Sequence, residues 1–212
     1  MQVNETIARN IASALLEIGA VSLNAKNPFT WTSGIKSPIY CDNRLTISYP
    51  QIRGMIADGF ASLIRTRYPD AELIAGAATG GIPHAALVAD RLNLPMVYVR
   101  SKPKEHGQGR MIEGVVQQGA KTIVIEDLVS TGKSSLRVAQ AVRDEGGQVL
   151  AVAAIFTYEF AAATAAFREA GIALHTLSNY STLIQCALES GRIDEESLAL
   201  LKKWRDNPQL YA

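Results

Sequence analysis

Cysteine is scarce. Two in 212 residues, Cys41 and Cys186, are too few for a disulfide framework or a zinc site, so both are expected to be free thiols in a reducing cytoplasm. An excess of one charge sign is missing too. The 21 Lys and Arg set against 20 Asp and Glu leave a net charge of +1, which argues against a surface dedicated to nucleic acid or membrane. No apolar run approaches the ~20 residues that cross a bilayer; the longest is 149–156. The opening residues, Met-Gln-Val-Asn-Glu, lack the basic region and apolar stretch of a signal peptide, so a cytoplasmic protein is expected. Repeats, low-complexity tracts and linkers are absent as well.

With 48% hydrophobic residues, the chain can bury one sizeable core, and a single domain over residues 1–212 is expected. Its most informative stretch is 121–135, KTIVIEDLVSTGKSS. Thr122 to Ile125 read as a buried parallel strand, β-branched and without alternation. From Ser134 onward, Leu136, Ala139 and Val142 with the Gly146-Gly147 stop predict an amphipathic helix. The loop from Leu128 to Lys133 then occupies a strand-to-helix turn, where an open α/β sheet binds ligands.

That turn can hold a phosphate. Amides at a helix N-terminus, the hydroxyls of Ser130, Thr131 and Ser134, and the relaxed backbone of Gly132 make a cradle for a dianion. Glu126 and Asp127, just before it, can accept hydrogen bonds from two neighbouring sugar hydroxyls. Phosphate and diol together point to ribose 5-phosphate. Gly132-Lys133-Ser134 imitates the end of a P-loop, but Asp127 stands where that motif requires glycine, which disfavours nucleoside triphosphate binding. A turn with no ligand would not need paired acids at the strand end.

This stretch closely resembles the diphosphate-sugar signature of the type I phosphoribosyltransferases. The resemblance implies that Glu126 and Asp127 hold the 2- and 3-hydroxyls of phosphoribosyl diphosphate. It also implies that Leu128, Val129, Ser130, Thr131, Gly132, Lys133 and Ser134 wrap the 5-phosphate. A second Gly-rich strand-to-helix turn follows the apolar run 73–77, and its Thr79, Gly80 and Gly81 resemble the family's diphosphate loop. Gly80 stands where some relatives carry lysine, so the contact there would come from backbone amides. His84, inside the next helix, is read as a packing or surface histidine in preference to a catalyst.

The other landmarks resemble the orotate members of that family. Thr32-Ser33-Gly34 followed by Ser37-Pro38-Ile39-Tyr40 looks like their N-terminal hood, here about residues 20–47 with the N-terminal helix. Many relatives carry lysine at the place of Thr32. Arg44 is a candidate to supply that charge to orotate, with a surface arginine closing a turn as the equal alternative. Orotate is expected against Ser130 and Thr32, and against Arg44 if that residue supplies the charge. Tyr158 falls near where some relatives place an arginine on orotate.

Residues 100–110 carry four Lys/Arg and one His against one Glu, spaced by Pro and Gly. This composition predicts a mobile cationic lid at about 100–114. The family's catalytic loop carries arginine, lysine and histidine at this spacing. Carried over, Arg100, Lys104 and His106 neutralise the departing diphosphate in the other subunit of a homodimer, with Mg²⁺ held mainly by the donor and no direct protein ligand. Ser101 replaces a second lysine of some relatives.

The implied fold is α/β, with a central, mainly parallel sheet flanked by helices and a small N-terminal hood. Helices are expected from Ile7 to Ile18, from the Ser48–Gln51 capping box to about Tyr68, from Glu159 to Glu169, and after an Asp194 cap. The implied activity makes orotidine 5'-monophosphate and diphosphate, in pyrimidine (UMP) biosynthesis. A purine or uracil phosphoribosyltransferase and a non-enzymatic sensor of the donor remain as rivals. A decarboxylase domain after Ala212 is not expected.

Overall fold

The computed structural model describes residues 5–30, 36–101 and 111–211. Helix α1 (Glu5–Glu17) turns its Ile11, Leu15 and Leu16 stripe inward. Strand β1 (Val21–Leu23) pairs antiparallel with β4 (Ile39–Cys41), and β2 (Phe29–Thr30) with β3 (Lys36–Ser37). These two ribbons are the short strands expected of a hood. A 3-10 helix (Asn43–Ser48) leads from β4 into α2 (Pro50–Arg67). The residue preceding α2 is Tyr49, which makes no side-chain cap bond, and Pro50 opens the helix. Ser48 is therefore not the cap expected from sequence; it is spent in the 3-10 helix, and the fixed φ of proline suffices to start the next one.

Strand β5 (Leu73–Ala77), α3 (Gly81–Leu92), β6 (Met96–Val99), β7 (Ile112–Glu113), β8 (Lys121–Val129), α4 (Lys133–Asp144), β9 (Gln148–Thr157), α5 (Ala161–Glu169) and β10 (Ala173–Asn179) then alternate. The sheet runs in the order β10-β9-β8-β5-β6-β7, parallel throughout except for β7. Its strands are apolar on both faces because both faces are covered. Ile74, Ile123, Ile125 and Ala153 pack toward α1, α2 and α3. Ala75, Val124, Val152 and Ala154 pack toward α4 and α5.

Two helices close the fold. α6 (Tyr180–Glu189) is not among the helices expected from sequence; its signal is Asn179, whose side chain accepts the Thr182 amide, with Leu183, Ile184 and Ala187 turned inward. α7 (Glu195–Asp206) has the expected cap, with Asp194 accepting the Ser197 amide at 2.8 Å. It buries Leu198, Leu201 and Trp204. α5 begins at Ala161 instead of Glu159, because Glu159 adopts a left-handed φ of 61° and its carboxylate takes the amide and hydroxyl of Ser181.

Candidate active site

The strand order decides where a ligand can sit. From β5 the chain crosses through α3 to β6 on one side; from β8 it crosses through α4 to β9 on the other. β5 and β8 are neighbours, with Gly76 opposite Ile125, so the connections diverge between them. That divergence opens a crevice at the carboxyl ends of the strands, the usual ligand position in such sheets.

Both helices that begin there are uncapped by side chains. Gly80 precedes α3 and Gly132 precedes α4, and neither offers an oxygen to the free amides of the first turn. Apart from the Ile82 amide, which bonds to the Thr79 carbonyl at 3.3 Å, the first-turn amides have no side-chain cap to compete with an anion. Glycine is required at Gly132 and leaves room for the Asp127 carboxylate at Gly80. Gly132 has φ +81° and a Cβ there would stand 2.8 Å from the Phe167 ring. At Gly80 a Cβ would collide with the Asp127 carboxylate, its Oδ1 at 2.7 Å. Gly81 packs as tightly on the backbone of Ile125 and Glu126. The two turns, 47 positions apart at Gly80 and Asp127, thus touch. The Ala78–Thr79 peptide between β5 and α3 is cis.

The acid pair is split in environment. Glu126 is 5% exposed; its Oε2 accepts from the Ser135 hydroxyl at 3.0 Å and its Oε1 from the Asp127 amide at 3.2 Å. Burial, together with the neighbouring Asp127, pushes its pKa up to about 8, against which the Ser135 hydrogen bond pulls down. Asp127 is half-buried, with its carboxylate beside the Gly80 turn and its carbonyl taking Asn43 Nδ2 at 2.7 Å. Asp127 faces the crevice, while Glu126 is turned toward the start of α4.

The loop expected to hold phosphate is shorter than the sequence suggests. Leu128 and Val129 belong to β8, opposite Phe156 and Thr157 of β9, and Val129 is buried. Pairing with a neighbour in space extended the strand past its two acids. The loop proper is Ser130, Thr131 and Gly132, with Lys133 and Ser134 exposed in the first turn of α4. A cavity of about 690 Å³ opens beside Ser130 and Thr131, walled by Phe160, Trp204 and Arg205.

The remaining expected residues lie as follows. Thr79 is exposed at the tip of the turn between β5 and α3. Arg100 follows β6, next to that turn through the Ala78 amide bond to the Val99 carbonyl, and its guanidinium stands 3.7 Å from Glu113. Arg44 is paired through Nε and Nη2 with both oxygens of Asp42, at 2.6 and 2.9 Å; this pair holds the Asp42 carboxyl below its usual range. Tyr158 is 3% exposed in an aromatic cluster with Phe156, Phe160, Tyr180 and Trp204, so the place of the relatives' arginine belongs to the core here. Thr32, Lys104 and His106 lie outside the described residues.

A sequence profile of the phosphoribosyl transferase domain matches residues 49–171, which include both turns. The orotate phosphoribosyltransferase of Enterococcus faecalis is 57% identical over 203 residues, 96% of this chain and 97% of that protein. The chain belongs to the orotate phosphoribosyltransferases. Among solved structures, the orotate phosphoribosyltransferase of Aeropyrum pernix superposes with a TM-score of 0.73 at 26% identity, over 87% of this chain and 99% of the other. Leishmania donovani UMP synthase gives a TM-score of 0.79 at 26% identity; it covers 93% of this chain, which spans 42% of that longer protein. The fold of an orotate phosphoribosyltransferase therefore accounts for both faces of the sheet and for the crevice between β5 and β8.

Proposed function

We propose that this orotate phosphoribosyltransferase moves the 5-phosphoribosyl group of phosphoribosyl diphosphate to orotate, releasing orotidine 5'-monophosphate and diphosphate for UMP synthesis. The observation that carries the reading is the contact of the two turns. An acid that can hold a diol stands between two uncapped helix N-termini, which suits a pentose with phosphate at one end and diphosphate at the other. In this reading Asp127 receives the ribose hydroxyls, and Glu126 reaches them only by giving up its hydrogen bond with the Ser135 hydroxyl. Ser130, Thr131, Gly132, Lys133 and Ser134, continuing from Leu128 and Val129, surround the 5-phosphate. Thr79 and Gly80 meet the diphosphate.

No covalent nucleophile is needed. The glycosidic carbon passes through an oxocarbenium-like state as diphosphate leaves and the orotate nitrogen arrives in line. Arg100, Lys104 and His106 neutralise the charge that develops on the leaving group, acting as a lid that enters the other subunit's site in a homodimer. Ser130, Thr32 and Arg44 orient orotate. For Arg44 this requires exchanging Asp42 for the substrate carboxylate.

The residues fit Mg²⁺ brought in by the donor. Asp127 sets one carboxylate against the diphosphate turn, and Mg²⁺ is commonly held by one or two carboxylates together with substrate phosphate oxygens. When bound, the ion neutralises diphosphate charge. The described residues include no helix long and apolar enough to cross a membrane, and a cytoplasmic location suits the free thiols. The test is loss of orotate absorbance with phosphoribosyl diphosphate and Mg²⁺. Turnover of a purine base or uracil, with orotate inert, would overturn the assignment.

A further inference from the structure

A buried polar cluster that has no part in the reaction above ties the hood to the donor turns. Asn43, at the start of the 3-10 helix, is 1% exposed, and Thr46 and His84 are fully buried. Asn43 donates from Nδ2 to the Asp127 carbonyl, 84 residues away, at 2.7 Å, while its Oδ1 accepts from Cys41 Sγ at 3.3 Å. Thr46 donates its hydroxyl to the Asn43 carbonyl at 2.5 Å. Having one hydrogen to give, the Thr46 oxygen can only accept from His84 Nε2, which lies 3.1 Å away.

These bonds fix the histidine. The proton sits on Nε2, and Nδ1 is left as a bare acceptor, buried and without a hydrogen-bond partner among the described residues. Burial keeps the ring neutral, with its pKa down to about 4 although Asp127 pulls the other way. A buried acceptor left unpaired costs about 1–3 kcal/mol, so packing alone would be better served by an apolar side chain. The cluster joins three places: the hood through Asn43, the helix behind the diphosphate turn through His84, and the end of β8 through Asp127.

From this convergence, we propose that Asn43, Thr46 and His84 are positioning residues: they fix the Asp127 peptide against the diphosphate turn, so that seating of the hood sets donor affinity. The proposal rests on the reading of Asp127 as an acid that receives the donor's sugar hydroxyls. Asn43 acts on the carbonyl of the same residue whose carboxylate faces Gly80. Loss of that bond would let the end of β8 shift, and the carboxylate would move off the turn with it.

The test compares Thr46→Val, which keeps shape and loses the hydroxyl, with Thr46→Ser, which keeps the hydroxyl. His84→Leu and His84→Gln form the parallel pair, since the glutamine amide can still donate to Thr46. KM and kcat for the donor, direct donor binding without orotate, and melting temperature are measured for each. Thr46→Val and His84→Leu should raise the donor KM roughly tenfold, about the value of one buried hydrogen bond, with a smaller change in kcat. Thr46→Ser and His84→Gln should restore it. A purely structural role would lower the melting temperature of the folded variants and leave donor affinity unchanged, which overturns the proposal. Should Thr46→Val not fold, His84→Leu and Asn43→Ser give the same reading. Asp127→Asn separates the two ideas. Full donor affinity in that variant removes the underlying reading, whereas its loss beside silent Thr46 and His84 variants removes the positioning role alone.

Discussion

Replacing Glu126 by glutamine isolates the energetic cost of the buried acid. In the unfolded chain this carboxyl titrates near its ordinary 4.5, while in the folded protein burial and Asp127 push it up to about 8. Between those values the native state holds a proton that the unfolded chain has released. Unfolding therefore releases a proton, and the group's contribution, complete below about pH 4.5, is lost as pH rises through about 8. At ~1.4 kcal/mol per unit, the shift corresponds to a loss on the order of 3–5 kcal/mol across the window. Glutamine keeps the acceptor for the Asp127 amide and can hydrogen bond with Ser135, but it cannot ionise. In melting curves from pH 5 to pH 9 the variant should gain on the wild type by roughly 2–4 °C per kcal/mol for a chain of this size. His84 and His175 titrate in both proteins and cancel in the difference. Parallel curves for the two proteins would refute the account of Glu126 as a buried, protonated acid.

Three further outcomes are expected. Lys104→Ala should lower turnover by about two to three orders of magnitude, the scale of one lost preorganised charge contact, with an unchanged melting temperature; mixing it with an Asp127 variant should recover partial activity, and no recovery would argue for self-contained sites. Gly80→Ala should raise the donor KM by at least about tenfold, because its Cβ would occupy the place of the Asp127 carboxylate; a wild-type KM would show that Asp127 does not work from that position. Arg44→Ala should raise the orotate KM by about tenfold, the order of a charge-assisted hydrogen bond, and an unchanged KM and turnover would leave Arg44 as the residue that closes the Asp42 turn.

The sequence by itself determined the local pieces. An apolar β-branched run ending in Glu126-Asp127, small hydroxylic residues and glycine identified a strand-to-helix turn, and the same pattern around Gly80 identified another. Such patterns are legible because they depend on residues near in sequence. Only the tertiary structure decided that β5 and β8 are neighbours whose connections leave in opposite directions, and hence that Gly80 meets Asp127. It alone extended β8 through Val129, made Tyr158 a core residue, paired Arg44 with Asp42, turned Glu126 inward onto Ser135 and enclosed His84 with Thr46 and Asn43. Most of these depend on packing between segments tens of residues apart, although the Arg44–Asp42 pair and the Glu126–Ser135 bond join residues only two and nine positions apart. Strand order, burial and the partner of a polar side chain are settled by which surfaces exclude water together, and a one-dimensional pattern does not carry that information.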